Sequence, residues 1–124
     1  MIRGSCLCGV VRYTISGPVS KASHCYCTMC QKQHGAAAGS YVNVASADFR
    51  YTAGAEAVKV YRSSPGVQRA FCAHCGSSLS WQSDAHAERI AVTPGTFDDP
   101  WDGEVSTLLH LESKPSWMGA LNKE

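Results

Sequence analysis

Seven cysteines in a chain of 124 residues limit what this sequence can fold into, and their grouping says more than their number. They fall into three clusters: Cys6-Leu7-Cys8-Gly9, Cys25-Tyr26-Cys27-Thr28-Met29-Cys30 and Cys72-Ala73-His74-Cys75-Gly76. A disulfide framework is disfavoured on three grounds. The count is odd, Met1-Ile2-Arg3-Gly4 does not read as a secretory leader, and thiols stay reduced in the cytoplasm, which is the expected compartment. Pairs as close as Cys6/Cys8 and Cys25/Cys27 are also poorly placed to bridge to each other. Metal ligation is the better account.

Cys72 and Cys75 form a C-x-x-C-G knuckle. That tight turn lets two sulfurs face one ion at ~2.3 Å, and Gly76 relieves the backbone where it curls around the metal. A knuckle supplies two ligands and needs two more, which Cys6 and Cys8 can present from far back in the chain. The expected result is a closed, tetrahedral, four-thiolate site whose binding is coupled to folding. Three sulfurs remain, on Cys25, Cys27 and Cys30. Three protein ligands and one exchangeable position are the pattern of a catalytic zinc. A fourth protein ligand would make this site structural too. His34, one helical turn past Cys30, suits that role better than His24, which adjoins Cys25.

The expected complement is two Zn2+ per chain, although four thiolates also suit iron. Three thiolates give a zinc centre a net charge of −1 and weaken its Lewis acidity relative to a three-histidine site. A thiol arriving at the open position would still be deprotonated. The expected chemistry is therefore capture or exchange of a thiol rather than hydrolysis. No G-x-S-x-G elbow offers an alternative nucleophile.

The rest of the sequence reads as one domain over 1–124, mostly β. Formal net charge is +1 with no basic block, which argues against nucleic acid. No apolar run approaches the ~20 residues that span a bilayer, so no membrane partner is expected. Val11, Tyr13 and Ile15 alternate with polar residues, as do Val58 and Val60. Further strands are predicted at Ser40–Val44, Phe49–Thr52, Val67–Phe71, Ser78–Gln82, Ile90–Thr93 and Val105–Leu111, separated by turn signals such as Ser64-Pro65-Gly66. Thr28–Ala38 is predicted to be helical, with Thr28 as its cap and Gly39 as its stop. Pro115 and Trp117 suggest a tail folded back on the sheet, whereas Gly119–Glu124 is equally consistent with a mobile end.

Taken in order, these segments resemble the glutathione-dependent formaldehyde-activating enzyme family, also called the centromere protein V/formaldehyde-activating domain. The resemblance rests on Gly4-Ser5-Cys6-Leu7-Cys8-Gly9, Cys25-Tyr26-Cys27-Thr28-Met29-Cys30, Phe71-Cys72-Ala73-His74-Cys75-Gly76-Ser77, Gly95-Thr96-Phe97-Asp98-Asp99-Pro100, and His110 with Pro115 and Trp117. It covers nearly the whole chain. It implies a β-tent fold of short antiparallel strands, with structural zinc on Cys6, Cys8, Cys72 and Cys75 and a second zinc on Cys25, Cys27 and Cys30. It also implies a carbon–sulfur lyase that joins glutathione to formaldehyde as S-(hydroxymethyl)glutathione. Tyr26 stands where the family often has histidine, and Gln31 precedes Lys32 where a basic residue often follows the third cysteine.

Tyr26 and Lys32 are weak candidates for substrate contacts. Arg62 and Arg69 could meet glutathione carboxylates, but single basic residues on short strands read as solvated surface. His74 is expected to be exposed or to sit behind the metal ligands. Trp81, Trp101 and Trp117 read as core or edge-covering aromatics. The competing function is a non-enzymatic binding or scaffold module in which both zincs only build the fold.

Overall fold

Alternation of apolar and polar side chains lays the chain into short strands. The computed structural model describes residues 1–119. Among them the strands are β1 (Ile2–Ser5), β2 (Arg12–Ile15), β3 (Ala22–Cys25), β4 (Gly39–Ala45), β5 (Phe49–Ala53), β6 (Val58–Ser64), β7 (Val67–Cys72), β8 (Ser78–Ser83), β9 (Arg89–Val92) and β10 (Val105–Leu109), with an α-helix, α1 (Thr28–His34). The mostly β fold expected from the period-two pattern is the one observed. β1, β2 and β5 form a small sheet in the order β1-β2-β5. The others form a large sheet in the order β10-β3-β4-β9-β8-β7-β6. Every pairing is antiparallel except that of β10, which runs parallel to β3 with Leu109 opposite Cys25.

The small sheet covers one face of the large one. Tyr13 and Ile15 of β2 pack with Val42 and Val44 of β4 and with Ile90 and Val92 of β9, and Phe49, Phe97 and Trp101 close the sides. The strand register makes this core continuous, because Val42 lies opposite Val92 and Val44 opposite Ile90. Side chains alternate across a strand, so the residues between these must face the other way. On that second face Tyr41 and Asn43 of β4, Arg89 and Ala91 of β9, Trp81 of β8 and Arg69 of β7 turn away from the small sheet. The register sets Asn43 beside Ala91, Ala91 beside Trp81, and Trp81 beside Arg69 as one row across four strands. Cys30 of α1 packs on this face against Tyr41 and Ala91.

Several local expectations are corrected. The helix ends at His34 rather than Ala38, because Gly35 takes the left-handed conformation (φ 60°) and its N–H donates to the Gln31 carbonyl. Its N-cap is Cys27 rather than Thr28; the Cys27 Sγ accepts from the Cys30 N–H at 3.3 Å. Gly39 is not a helix stop but the first residue of β4, where a Cβ would press on the His34 and Tyr41 rings. The last strand stops at Leu109, and His110 turns the chain with φ 54°, the one non-glycine residue with positive φ among those described. Trp117 is 71% exposed and does not cover the sheet; residues 120–124 lie outside the described residues. β1 and β3 were not expected. Ile2-Arg3-Gly4-Ser5 and Ala22-Ser23-His24-Cys25 have little apolar alternation, and their extended form comes from partners distant in sequence.

Candidate metal centres

The first cluster forms where the β1–β2 turn meets the β7–β8 turn. Cys6, Cys8, Cys72 and Cys75 bring their sulfurs within 4.8 Å of one another. Cys6 and Cys8 are 3.6 Å apart and Cys8 and Cys72 are 3.9 Å apart. A tetrahedron of sulfurs ~2.3 Å from one ion has edges of about 3.8 Å, so the donor set fits a four-coordinate thiophilic metal. Backbone amides already point at the sulfurs: the Val11 N–H donates to Cys6 Sγ at 3.3 Å and the His74 N–H to Cys72 Sγ at 3.4 Å.

The thiols also divide sharply in acidity. Cys75 is drawn down to about 5, chiefly by the Ser77 hydroxyl and amide. Cys8 is pushed up to about 11; the Val10 amide favours its thiolate, but desolvation and the neighbouring thiols outweigh that help. Sulfurs packed this closely cannot all ionise unless a cation joins them. Cys6 and Cys72 are buried with Val11, Ala57 and Leu79, so the cluster is continuous with a second core.

The second cluster lies on the open face of the large sheet. β3 ends in Cys25, Cys27 caps α1, and Cys30 sits in its first turn. The three sulfurs lie within 4.8 Å of one another. Among the described residues no histidine or carboxylate joins them. The two histidines considered as a fourth ligand are engaged elsewhere: His34 Nε2 lies 2.7 Å from the Tyr41 hydroxyl, and His24 Nδ1 lies 2.9 Å from the Ser40 hydroxyl. Burial pushes Cys25 up to about 12. Burial also opposes ionisation of Cys27, but the Cys30 amide, the two neighbouring thiols and the Arg69 charge together lower it.

A cavity of about 360 Å³ opens onto these three sulfurs. Its wall is the row already described: Tyr41, Asn43, Ala91, Trp81 and Arg69, with Leu109 and His110 on one side and Arg89 among the lining residues. Among the described residues no acidic side chain lines it. Tyr26 and Lys32, the weak substrate candidates, are not part of this wall. Tyr26 is buried, with its N–H on the Leu109 carbonyl and its carbonyl taken by the Gln31 side chain, and Lys32 is exposed on α1.

Arg69 is the correction of most consequence. Read from sequence as solvated surface, it is 4% exposed and reaches the second cluster. Its Nη1 lies 3.5 Å from Cys30 Sγ and donates to Gln33 Oε1 at 2.7 Å, and its Nε donates to the Ser63 hydroxyl at 2.8 Å. Burial works against its charge, and the Cys30 thiol more than restores it. Nothing in Val67-Gln68-Arg69-Ala70 marks the arginine as buried; only the register beside Trp81 and the helix above it do so. Arg62 is surface, in a 3.2 Å ion pair with Asp84.

The fold and these clusters define a small β-sheet protein built around two cysteine groups able to hold metal ions. Residues 1–112 match the family model described as glutathione-dependent formaldehyde-activating enzyme, and the chain belongs to that family. No curated protein matches it. Among solved structures, the crystal structure of a Rhodobacter sphaeroides protein, a structural-genomics target, superposes with a TM-score of 0.70 at 22% identity. It covers 86% of this chain and 98% of that one, which is a likeness of fold.

Proposed function

We propose that this protein is a zinc-dependent carbon–sulfur lyase of the S-(hydroxymethyl)glutathione synthase type, joining glutathione, or a similar thiol, to formaldehyde or a similar aldehyde. The observation that carries the reading is that Cys25, Cys27 and Cys30 converge at the floor of a cavity with no fourth protein ligand among the described residues. Cys6, Cys8, Cys72 and Cys75 take the structural role, because their site is saturated with protein donors.

Cys25, Cys27 and Cys30 would hold a zinc ion, which would supply a Lewis-acidic position able to acidify an incoming thiol. The reaction itself is redox neutral. The thiol gives up its proton, sulfur bonds to the aldehyde carbon, and the carbonyl π pair moves to oxygen, which takes a proton. The chain's own residues hold and orient the partners. The Cys30 amide and the charge of Arg69 favour thiolates at the cluster. Trp81, Ala91 and Leu109 give the cavity apolar walls, and Asn43, Ser23 and Ser64 offer hydrogen bonds to a peptide-like thiol. Arg89 brings a cation to the same cavity for a substrate carboxylate. Free cysteines and a glutathione partner fit a reducing compartment such as the cytoplasm.

The test is exchange NMR of glutathione with formaldehyde in the presence of zinc-loaded wild type or Cys27→Ser, set against a protein-free control because the addition also proceeds unaided. Serine keeps the helix cap while removing a metal ligand. Acceleration by wild type that disappears in the variant is expected. Exchange equal to the control in both would discard this chemistry and leave a zinc-built binding module.

A further inference from the structure

Arg69 is a buried cation with no carboxylate partner among the described residues. The ion pairs among the described residues are formed by other side chains, and the anionic neighbours of Arg69 are the cysteine sulfurs. Burying a guanidinium without an anion costs several kcal/mol, so its placement beside Cys30 needs a reason beyond packing. Three of its contacts are fixed: Nη1 to Cys30 Sγ and Gln33 Oε1, and Nε to Ser63 Oγ. Nη2 makes none. No buried side-chain nitrogen or oxygen lacks a partner, so Nη2 must keep some contact with open space even though the residue is only 4% exposed. The open space that Arg69 lines is the cavity above the three cysteines. The guanidinium is planar and rigid, so pinning one arm and the Nε aims the other.

We propose that Arg69 is a catalytic residue: its Nη2 donates hydrogen bonds to the aldehyde oxygen as that oxygen takes up negative charge, while Nη1 holds the Cys30 sulfur. This deepens the thiol–aldehyde reading and rests on it. As sulfur bonds to carbon, the π pair of the carbonyl moves onto oxygen. Nη2–H stabilises that charge without giving up its proton, and water supplies the proton that completes the hydroxymethyl group. A donor fixed before the reaction and held in a low-dielectric wall is worth far more than one in water. Arg69 would also offset the net −1 of a zinc held by three thiolates, so that the developing oxyanion would not face an uncompensated negative centre.

The experiment compares wild type with Arg69→Gln and Arg69→Lys in exchange NMR, with metal content measured on each. Arg69→Gln is expected to keep two metals per chain and a KM for glutathione near that of wild type while kcat falls about 100-fold. Unchanged kcat overturns the proposal. If Arg69→Gln loses its metal, Arg69→Lys decides, because lysine keeps the charge but has no second arm. A metal-loaded Lys variant at a tenth of wild-type kcat or less supports the role, and one at wild-type kcat overturns it. A second readout needs no turnover: binding of formate, a planar carbonyl anion, followed by 13C relaxation. Saturable binding to wild type that is lost in Arg69→Gln supports the anion site even if the wild type proves inactive, in which case the lyase reading alone falls. Formate binding equal in both proteins removes Nη2 from the account.

Discussion

Losing the four-cysteine cluster should cost this protein far more stability than losing the three-cysteine one, and the difference follows from loop lengths. In the folded chain Cys8 and Cys72 are 3.9 Å apart although 64 positions separate them. An unfolded chain can also bind metal through these thiols, but only after closing that loop. The entropy of closing about 64 residues is worth about 4 kcal/mol at room temperature, and the folded state escapes it because the fold already brings the ends together. About 4 kcal/mol is therefore the order of magnitude by which the metal favours the folded state through this loop, against a total of roughly 5–15 kcal/mol for a domain of ordinary stability. Cys25 and Cys30 close a much shorter loop, for which the same relation gives about 2 kcal/mol. The perturbations are Cys72→Ala and Cys27→Ser, and the assay is urea unfolding followed by far-ultraviolet circular dichroism with metal content determined at each step. With an m-value of about 2 kcal/mol per molar urea, the Cys72→Ala midpoint should fall by about 2 M and that of Cys27→Ser by about 1 M or less. Equal shifts, or a Cys72→Ala midpoint within about 0.5 M of wild type, would refute the assignment of the structural role to that cluster.

Three further outcomes are expected. Leu79 is 1% exposed and packs against Cys6 and Cys72, so Leu79→Ala should destabilise the fold by about 2–5 kcal/mol and loosen metal at the four-cysteine site; calorimetry with a chelator competition checks both. Gly54→Ala should destabilise by about 1–3 kcal/mol in chemical denaturation, because φ is +73° and a Cβ would run into the Val10 carbonyl. Asp99 is held down to about 2 by the Arg3 guanidinium, which donates to it at 2.7 Å. Its folded pKa lies below the unfolded value, so its contribution is present above about pH 4 and is lost as pH falls through about 2. Carboxyl NMR titration of wild type and Arg3→Gln should show the midpoint rising in the variant, and an unmoved midpoint would remove Arg3 as its cause.

The cysteines were legible because thiolate spacing is a local code: C-x-x-C-G and C-x-C each present two sulfurs without reference to the rest of the fold, and the structure brings Cys6 and Cys8 to Cys72 and Cys75 as counting alone suggested. β2 and β4 were equally readable from the alternation that buries Tyr13, Ile15, Val42 and Val44. What the sequence hid is relational. β3 is a strand because β4 and β10 flank it, and the parallel pairing of Leu109 with Cys25 joins segments with no local signal for each other. The helix stopped at Gly35 because a left-handed glycine outweighed the three alanines of favourable propensity beyond it. Arg69 looked like surface because a charged residue on a short strand usually is. Its burial depends on lying opposite Trp81 and beneath Cys30 and Gln33, which no window of sequence contains.

The central claim is that one cluster is closed and the other keeps a position for an external thiol. Cobalt substitution tests it most directly, because the d–d absorption of Co(II) reports its ligand set. Protein loaded with two Co(II) per chain should change the spectrum of one ion, and only one, when glutathione is added, and Cys27→Ser should abolish that change. A spectrum unaffected by glutathione would mean that the second site is closed and would contradict the account.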